Sequence, residues 1–448
     1  MDIRNLKNGF YAVIDVVVSP LIMILLTPIF VHFLGVEQYG LWILVNSMVA
    51  SLSLFNFGVS DVVIKYLPKL LTTNDYEQAK TLSSTIFIFQ LTIAVVIILC
   101  FYIFTSLILP CFESSGRYSM YVSIFAVAIP LFLVKQFEQV AYSIFKSHER
   151  YGVVATLSLI SKITFFSMQA FIAIETGSVY QVIKYSLIVA VIIYLIELLY
   201  IKMKYYYIHI FRGASFITFK SLLDFGIWNW FASILSILRV NSDKWIVSML
   251  LGLKAFGYYS IAVLVFNQLY TVLASSIAWV FPKISSNSLC LNDQKKLFYS
   301  LMIFLVLAGS VLSLTLSASS NLLFVTWLGE GVYSNCKHFI SLFLVMFPVF
   351  IMSAVSYYYI LSLGLVRYKF IVDFLVLNIK IFVLWFSIRV GFLGEDWPLA
   401  FLIFLSVEII LYFRIVRKRI ELKKSFIYYI LIIQFIIIIV RLYLINIY

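Results

Sequence analysis

Charged side chains inside long apolar segments are the residues of this sequence best placed to do chemistry. Lys162 and Lys380 lie near the middle of two such segments, and neither has a carboxylate three or four residues away. A charge in the hydrocarbon core of a membrane is costly, so it usually faces water or a partner on another helix. A midplane ammonium group therefore needs water, an anion or a partner from another helix. We interpret Lys162 and Lys380 as lining a water-filled cavity that binds an anion.

In each of two further pairs, a basic and an acidic residue lie one helical turn apart. Lys135 and Glu138 share one apolar segment, and Arg239 and Asp243 share another. A structural ion pair and a functional one fit Lys135 and Glu138 equally well. Asp243, Glu138 and Asp61 are the candidates to bind a coupling ion or proton, although a fixed counter-charge fits the same positions.

Asparagine residues mark polar faces on three apolar segments. Each is followed or preceded by serine or threonine at spacings of three, four or seven, which places them on one helical face. Small polar residues also hold membrane helices together, and the hydroxyl groups alone favour that role. Because Arg239 and Asp243 lie on one of these helices, the three helices are candidate walls of a substrate cavity. The candidate substrate-binding residues are Lys162, Lys380, Arg239, Lys135, Asn46, Asn56, Asn229 and Asn267.

The elements that position these residues are membrane-spanning helices. Hydrophobic residues make up 63% of the chain and charged residues 12%, against about a quarter charged in soluble domains. Thirteen apolar segments reach the roughly 20 residues that a spanning helix needs, and none alternates with the period of two of a barrel strand. They span residues 10–33, 41–66, 82–109, 118–144, 153–174, 182–200, 222–251, 258–281, 297–323, 339–363, 370–390, 398–416 and 426–444. The expected fold is an all-α polytopic membrane bundle of 12–13 transmembrane helices.

Landmarks in the first half of the chain return 217 residues later. Gly9 corresponds to Gly226, Gly35 to Gly252, and the step at Arg150 to Arg367. Two sets of six spans predict parallel repeats, and repeated halves are typical of transporters whose substrate site lies where the repeats meet. The expected organisation is a six-helix lobe at residues 1–208, a second at 209–420 and an additional transmembrane helix at 421–448.

Basic residues fall on alternate loops. The linker at residues 202–220 and the segment at 414–424 are rich in lysine and arginine, whereas the intervening loops hold at most one each. By the positive-inside rule the N-terminus is cytoplasmic, and the net charge of +13 reflects a face against anionic lipid. We expect no nucleic-acid partner.

Catalytic and cofactor motifs are missing from the sequence. It has no nucleotide-binding glycine loop, no Ser/His/Asp arrangement, no paired carboxylates in a long outward loop and no metal-ligand spacing of histidines or cysteines. We therefore expect a transporter without cofactor or metal, driven by an ion gradient or by the gradient of its substrate.

Several short motifs resemble those of a known family. They are Pro28, Leu34-Gly35-x-x-x-Tyr39-Gly40-Leu41-Trp42, Phe57-Gly58-Val59-Ser60, Asp243-Lys244-Trp245-Ile246, Leu251-Gly252 and Gly257-Tyr258-Tyr259-Ser260-Ile261-Ala262. The sequence resembles the polysaccharide-transporter flippases of the multidrug/oligosaccharidyl-lipid/polysaccharide exporter superfamily, and most of all the O-antigen repeat-unit flippases.

The resemblance implies a V-shaped, two-lobed bundle that alternates between inward-open and outward-open states. It implies that an undecaprenyl-pyrophosphate-linked oligosaccharide moves from the cytoplasmic to the periplasmic leaflet of a bacterial inner membrane, with its head group in a cationic central cavity and its tail among membrane lipids. The polymerase and chain-length regulator of the same pathway are the implied protein partners. The alternatives are a membrane polymerase or ligase of that pathway, and a drug or cation antiporter of the sister branch.

Overall fold

The protein is built from helices joined by short links. The computed structural model describes residues 21–51, 59–103, 118–148, 150–205, 216–277, 280, 284, 290–391, 394–423 and 425–426, and these residues contain no strand. The helices are α1 (Leu21–Leu34), α2 (Val36–Ser51), α3 (Val59–Thr72), α4 (Tyr76–Ile103), α5 (Tyr118–Ser147), α6 (Tyr151–Thr176), α7 (Val179–Lys204), α8 (Phe216–Ser276), α9 (Leu291–Ala318), α10 (Ser320–Leu328), α11 (Glu330–Phe350), α12 (Met352–Ser362), α13 (Val366–Val390) and α14 (Phe401–Ile420). A 3₁₀ helix at Gly394–Ala400 precedes α14.

Helix α4 shows how these sequences divide between lipid and protein. Leu91, Val95 and Leu99 are about half exposed, and their spacing of four places them on one face. Ile86 and Ile97 are buried on the opposite side. In an aqueous protein such an apolar stripe would be unstable, but lipid tails cover it without cost.

Nine helical stretches among the described residues are long and apolar enough to cross a membrane. One of them, Ser233–Ser276, has 44 residues, which at 1.5 Å per residue is about twice the thickness of the hydrocarbon core. The predicted all-α, multi-pass membrane fold is confirmed. Of the predicted thirteenth segment at residues 426–444, only Phe426 lies within the described residues.

Two glycines break the helical path at matching positions. Gly35, between α1 and α2, has φ 78°, and Gly252, inside α8, has φ 80°. Only glycine adopts this backbone conformation readily, because it has no Cβ. The two residues predicted to be equivalent across the repeat therefore share a backbone conformation, and Gly252 divides α8 into two straight helices.

The chain forms two compact units, Met1–Ile237 and Leu238–Tyr448, which we call unit 1 and unit 2. In unit 1, α5 packs against α3, α6 and α7, and Val140, Ala141 and Phe145 are fully buried. In unit 2, α11 packs against α9 and α14, and every residue from Leu342 to Val349 is buried. The charged residues considered below lie on α5, α6 and α7 of unit 1 and on α8, α13 and α14 of unit 2.

Candidate functional site

Three helices of unit 2 bring their charged faces together. Asp373 and Lys380 are seven residues apart on α13, and Glu408 and Tyr412 are four apart on α14, so each pair shares one helical face. We call the resulting group the Arg239 cluster. It consists of Arg239, Asp243 and Tyr259 on α8, Lys369, Asp373 and Lys380 on α13, and Glu408 and Tyr412 on α14.

Arg239 joins two carboxylates from different helices. Its guanidinium donates to Asp373 Oδ1 at 2.6 Å and to Glu408 Oε1 at 2.5 Å. Asp373 also accepts from Lys369 at 2.5 Å and from the Tyr412 hydroxyl. The planar fork of arginine suits this arrangement, because two nitrogens can each face a separate oxygen. Arg239 thus pairs across helices, although Asp243 lies one turn away on its own helix.

Lys380 has a partner from another helix. Its ammonium group donates to Asp243 Oδ1 at 2.6 Å and to the Arg239 carbonyl oxygen at 2.6 Å. The Tyr259 hydroxyl donates to the second oxygen of Asp243 at 2.6 Å. The Lys380 and Asp243 side chains are only 8% and 6% exposed. A midplane ammonium group was expected to need water, an anion or a partner from another helix. For Lys380 that partner is the Asp243 carboxylate of α8, and the pair is buried inside the protein.

The Arg239 cluster is electrically balanced among its members. Three cations face three carboxylates, and each carboxylate is ion-paired. The Arg239 side chain is 27% exposed, whereas its partners Asp373 and Glu408 are 5% and 2% exposed. Arg239 is therefore more exposed than the two carboxylates that it binds.

Unit 1 contains a second group, which we call the Glu138 cluster. It consists of Lys135, Glu138 and Tyr142 on α5, Ser161 on α6, and Glu197 on α7. Glu138 is buried and accepts three hydrogen bonds, from Lys135 at 2.6 Å, from Tyr142 at 2.8 Å and from Ser161 at 2.9 Å. The Lys135 side chain is 31% exposed, and its ammonium group lies 4.8 Å from the centre of the Phe165 ring. This distance is typical of a cation–π contact.

Glu197 is a buried carboxylate that sequence reasoning left without a role. It is 1% exposed, and the Tyr142 hydroxyl, which donates to Glu138 at 2.8 Å, also interacts with its carboxyl group. The sequence signal was a single acidic residue between apolar neighbours in the run Leu195-Ile196-Glu197-Leu198-Leu199. Because α7 offers it no charged neighbour at helical spacing, only the packing of α7 against α5 shows its surroundings.

The remaining predicted site residues differ in burial and in how much of them the structure describes. Lys162 is half-buried on α6, directly after Ser161. Asn46 is half-buried and donates to the Trp42 carbonyl of its own helix at 2.8 Å, and Asn267 is exposed. Three predicted positions fall outside what the structure describes, namely Asn56 and the side chains of Asp61 and Asn229.

Comparison with known proteins places the chain in a family. The model of the family described as polysaccharide biosynthesis protein matches residues 5–288. The chain belongs to the polysaccharide biosynthesis protein family. The match covers all of unit 1 from residue 5 onward and the first part of unit 2, so it includes Lys135, Glu138, Glu197, Arg239 and Asp243.

The chain is also similar to a curated protein and to several solved structures. The Shigella flexneri protein named "Putative O-antigen transporter" is 23% identical over 370 residues, which are 80% of this chain and 85% of that protein. An inward-facing multidrug resistance MATE family transporter of the MOP superfamily matches with a TM-score of 0.62 at 12% identity, over 91% of this chain and 94% of that chain. A MOP superfamily transporter from Pyrococcus furiosus matches with a TM-score of 0.53 at 14% identity, over 90% and 95%.

The family match, the relative and the shared fold point to one class of protein. The predicted membership in a polysaccharide family is confirmed by the match over residues 5–288. The prediction of a transporter rather than an enzyme agrees with the names of the relative and of the two structural neighbours. The structural neighbours, at 12% and 14% identity, establish the fold only.

Proposed function

We propose that the protein is a flippase for undecaprenyl-pyrophosphate-linked O-antigen or related surface polysaccharide repeat units. It would move them from the cytoplasmic to the periplasmic leaflet of a bacterial inner membrane by alternating access. The observation that carries this proposal is the family match over residues 5–288, together with the O-antigen name of the Shigella relative.

The exposed cations supply the chemistry for an anionic head group. Arg239 and Lys135 are both paired, yet each keeps more than a quarter of its side chain accessible. A pyrophosphate can therefore take up their remaining N–H donors in a charge-assisted contact. Lys162, half-buried on α6, is the third candidate contact. In this proposal Lys380 positions Asp243 and α8 and does not touch the substrate.

The polyprenyl tail needs no protein site of its own. Lipid covers the apolar stripes such as Leu91, Val95 and Leu99, and a long isoprenoid chain is as apolar as lipid tails. Only the charged glycan head then requires a path through the protein. The polymerase and chain-length regulator of the same pathway would receive the product at the periplasmic face.

Deletion and complementation of the gene in its host test the flippase proposal. We expect the deletion strain to lose surface polysaccharide and to accumulate lipid-linked repeat units, and the intact gene to restore display. The accumulated units should resist an impermeant glycan-modifying reagent added to spheroplasts, because they remain in the cytoplasmic leaflet. Accumulated units that react with this reagent would favour the polymerase or ligase alternative instead, and normal display in the deletion strain would contradict the flippase proposal.

A further inference from the structure

The surroundings of Glu197 are those of a carboxyl group that holds a proton. The opposite side of α7 exposes Leu195, Ile196 and Leu199, so lipid covers that face, while Glu197 points into the unit and is 1% exposed. An ionised carboxylate removed from water requires donors or a counter-charge. The Tyr142 hydroxyl interacts with Glu197, but its single proton is donated to Glu138 at 2.8 Å, so it is not a free donor to an ionised Glu197.

The charged and titratable groups around Glu197 come mainly from α5. Glu138, Tyr142 and Lys135 act on it electrostatically, and Tyr194 lies one turn earlier on α7. Helix α6 contributes the Ser161 hydroxyl, which donates to Glu138.

The described charged groups that act on Glu197 are Glu138 and Lys135 of α5. Lys162 of α6 follows Ser161 in sequence and is half-buried. Glu37 of α2 lies beside the start of α7, where Gln38 accepts a hydrogen bond from the Val179 amide. That point is about 27 Å along the helix from Glu197.

The charges of the Glu138 cluster do not balance unless a proton is present. Lys135 is the one cation in the cluster, and Glu138 is its counter-ion at 2.6 Å. An ionised Glu197 would then add a second buried negative charge beside Glu138, and two neighbouring carboxylates disfavour simultaneous ionisation. The Arg239 cluster makes the contrast clear, because its three carboxylates are each ion-paired.

We propose that Glu197 is the proton-binding site of unit 1 and that this proton is exchanged during transport. The carboxylic acid O–H bond of Glu197 breaks, the proton leaves to water, and the carboxylate turns to the hydroxyl of Tyr142 and the ammonium of Lys135. Tyr142 donates to Glu138 at 2.8 Å and is already within electrostatic reach of Glu197. By the predicted topology the cytoplasmic end of α7 at Lys204 is about 10 Å away along the helix.

This exchange would link the proton to the accessible cation of unit 1. While Glu197 is neutral, the ammonium group of Lys135 donates to Glu138. A newly ionised Glu197 competes with Glu138 for that ammonium group. Because the Lys135 side chain is 31% exposed, a bound anion can also compete for its ammonium group. The linkage to substrate rests on the proposed flippase function, whereas proton binding by Glu197 does not.

Infrared difference spectroscopy of the purified full-length protein tests proton binding directly. We expect a C=O stretch of a buried protonated carboxyl group in the wild type, its loss in Glu197→Gln, and its retention in Glu175→Gln. Glu175 is a matched control because it is an exposed glutamate near the end of the adjacent helix α6. An unchanged band in Glu197→Gln would overturn the proposal. Glu197→Met, which also has no titratable group, provides a second test should the glutamine variant fold poorly.

Proteoliposomes containing a fluorescent lipid-linked oligosaccharide test the coupling. For each proton exchanged, a gradient of one pH unit shifts the steady-state distribution about tenfold. We expect this response in the wild type and in Glu175→Gln, and none in Glu197→Gln. A full response in Glu197→Gln contradicts the coupling role. If the wild type moves no oligosaccharide while the infrared band depends on Glu197, the flippase proposal fails and the proton site stands.

Discussion

At the scale of single residues, spacing along one helix predicted some contacts and missed others. Lys135 and Glu138, three residues apart, form the ion pair that their spacing suggests. Arg239 and Lys380 instead pair with carboxylates more than 130 residues away in sequence. A sequence shows which residues share a helical face, but not which helix that face meets.

The pairing of Lys380 with Asp243 predicts a specific pattern of stability. Lys380→Ala leaves Asp243 as a buried, uncompensated carboxylate, which should cost about 3–5 kcal/mol. The double variant Lys380→Met with Asp243→Asn removes both charges and should recover most of that loss. Thermal unfolding of the detergent-solubilised proteins measures the effect. A double variant as unstable as Lys380→Ala would show that the charge pair is not the source of the loss.

The same pairing changes how the candidate lysines should be tested. Loss of surface polysaccharide is expected when Lys162→Ala and Lys380→Ala are combined, but the broken ion pair with Asp243 is enough to explain a loss in Lys380→Ala without a role in substrate binding. Lys162→Ala by itself is the informative variant for anion binding. Its protein level should equal that of the wild type.

His148 offers a prediction about pH at the end of α5. It lies outside the spanning segments, its ring is 4.1 Å from that of Tyr205, and its Nδ1 is 2.7 Å from the Ile144 carbonyl oxygen. Burial lowers the pKa of His148 below its usual value, and the charges of Arg150 and Lys204 act in the same direction. Protonation therefore favours the unfolded state, so stability present above pH 6.5 is lost as the pH falls through the lowered value.

Thermal unfolding at pH 7.5 and pH 5 checks this expectation. Replacing His148 by glutamine should reduce the loss of stability on acidification compared with the wild type. His32→Gln is the matched control, because His32 is exposed in the same unit. Equal losses in His148→Gln and the wild type would exclude a contribution from His148.

At the scale of elements, the glycine landmarks of the repeat predicted a local backbone feature. Gly35 and Gly252 were chosen from sequence as equivalent, and both have φ near 80°. The apolar segments at residues 222–251 and 258–281 predicted a helix on each side of this position, and α8 is helical on both sides of Gly252.

Gly252→Ala should be destabilising through the backbone alone. An added Cβ at Gly252 has open space around it, so the cost comes from the positive φ and should be about 1–3 kcal/mol. Gly331→Ala is the matched control, because Gly331 lies inside α11, also has open space, and has no positive φ. Alanine there should be neutral or slightly stabilising. Similar unfolding temperatures for the two variants would contradict the strain argument.

At the scale of the whole molecule, composition predicted the class of protein, and the distribution of basic residues over alternate loops predicts a cytoplasmic N-terminus. Long apolar segments are a strong signal because the bilayer fixes the length of a spanning helix. The sequence is a weak guide to the cross-helix clusters, because its 33 basic and 20 acidic residues can pair in many ways. The fold was therefore more predictable than the site. The role proposed for Glu197 depends on its burial between helices, which the sequence does not show.

Orientation in the membrane gives the last prediction. Lys254, in the second half of α8, belongs to a loop with one basic residue, and Lys296, near the start of α9, belongs to a basic loop. Both side chains are exposed, so they form a matched pair of labelling positions within unit 2. After replacement of the four native cysteines by serine, an impermeant thiol reagent should label Lys254→Cys in spheroplasts and label Lys296→Cys only after lysis. The positive-inside rule requires this result, because cytoplasmic loops retain their lysines during insertion. The reverse pattern would place the N-terminus outside and the cytoplasmic end of α7 on the wrong side for proton release from Glu197.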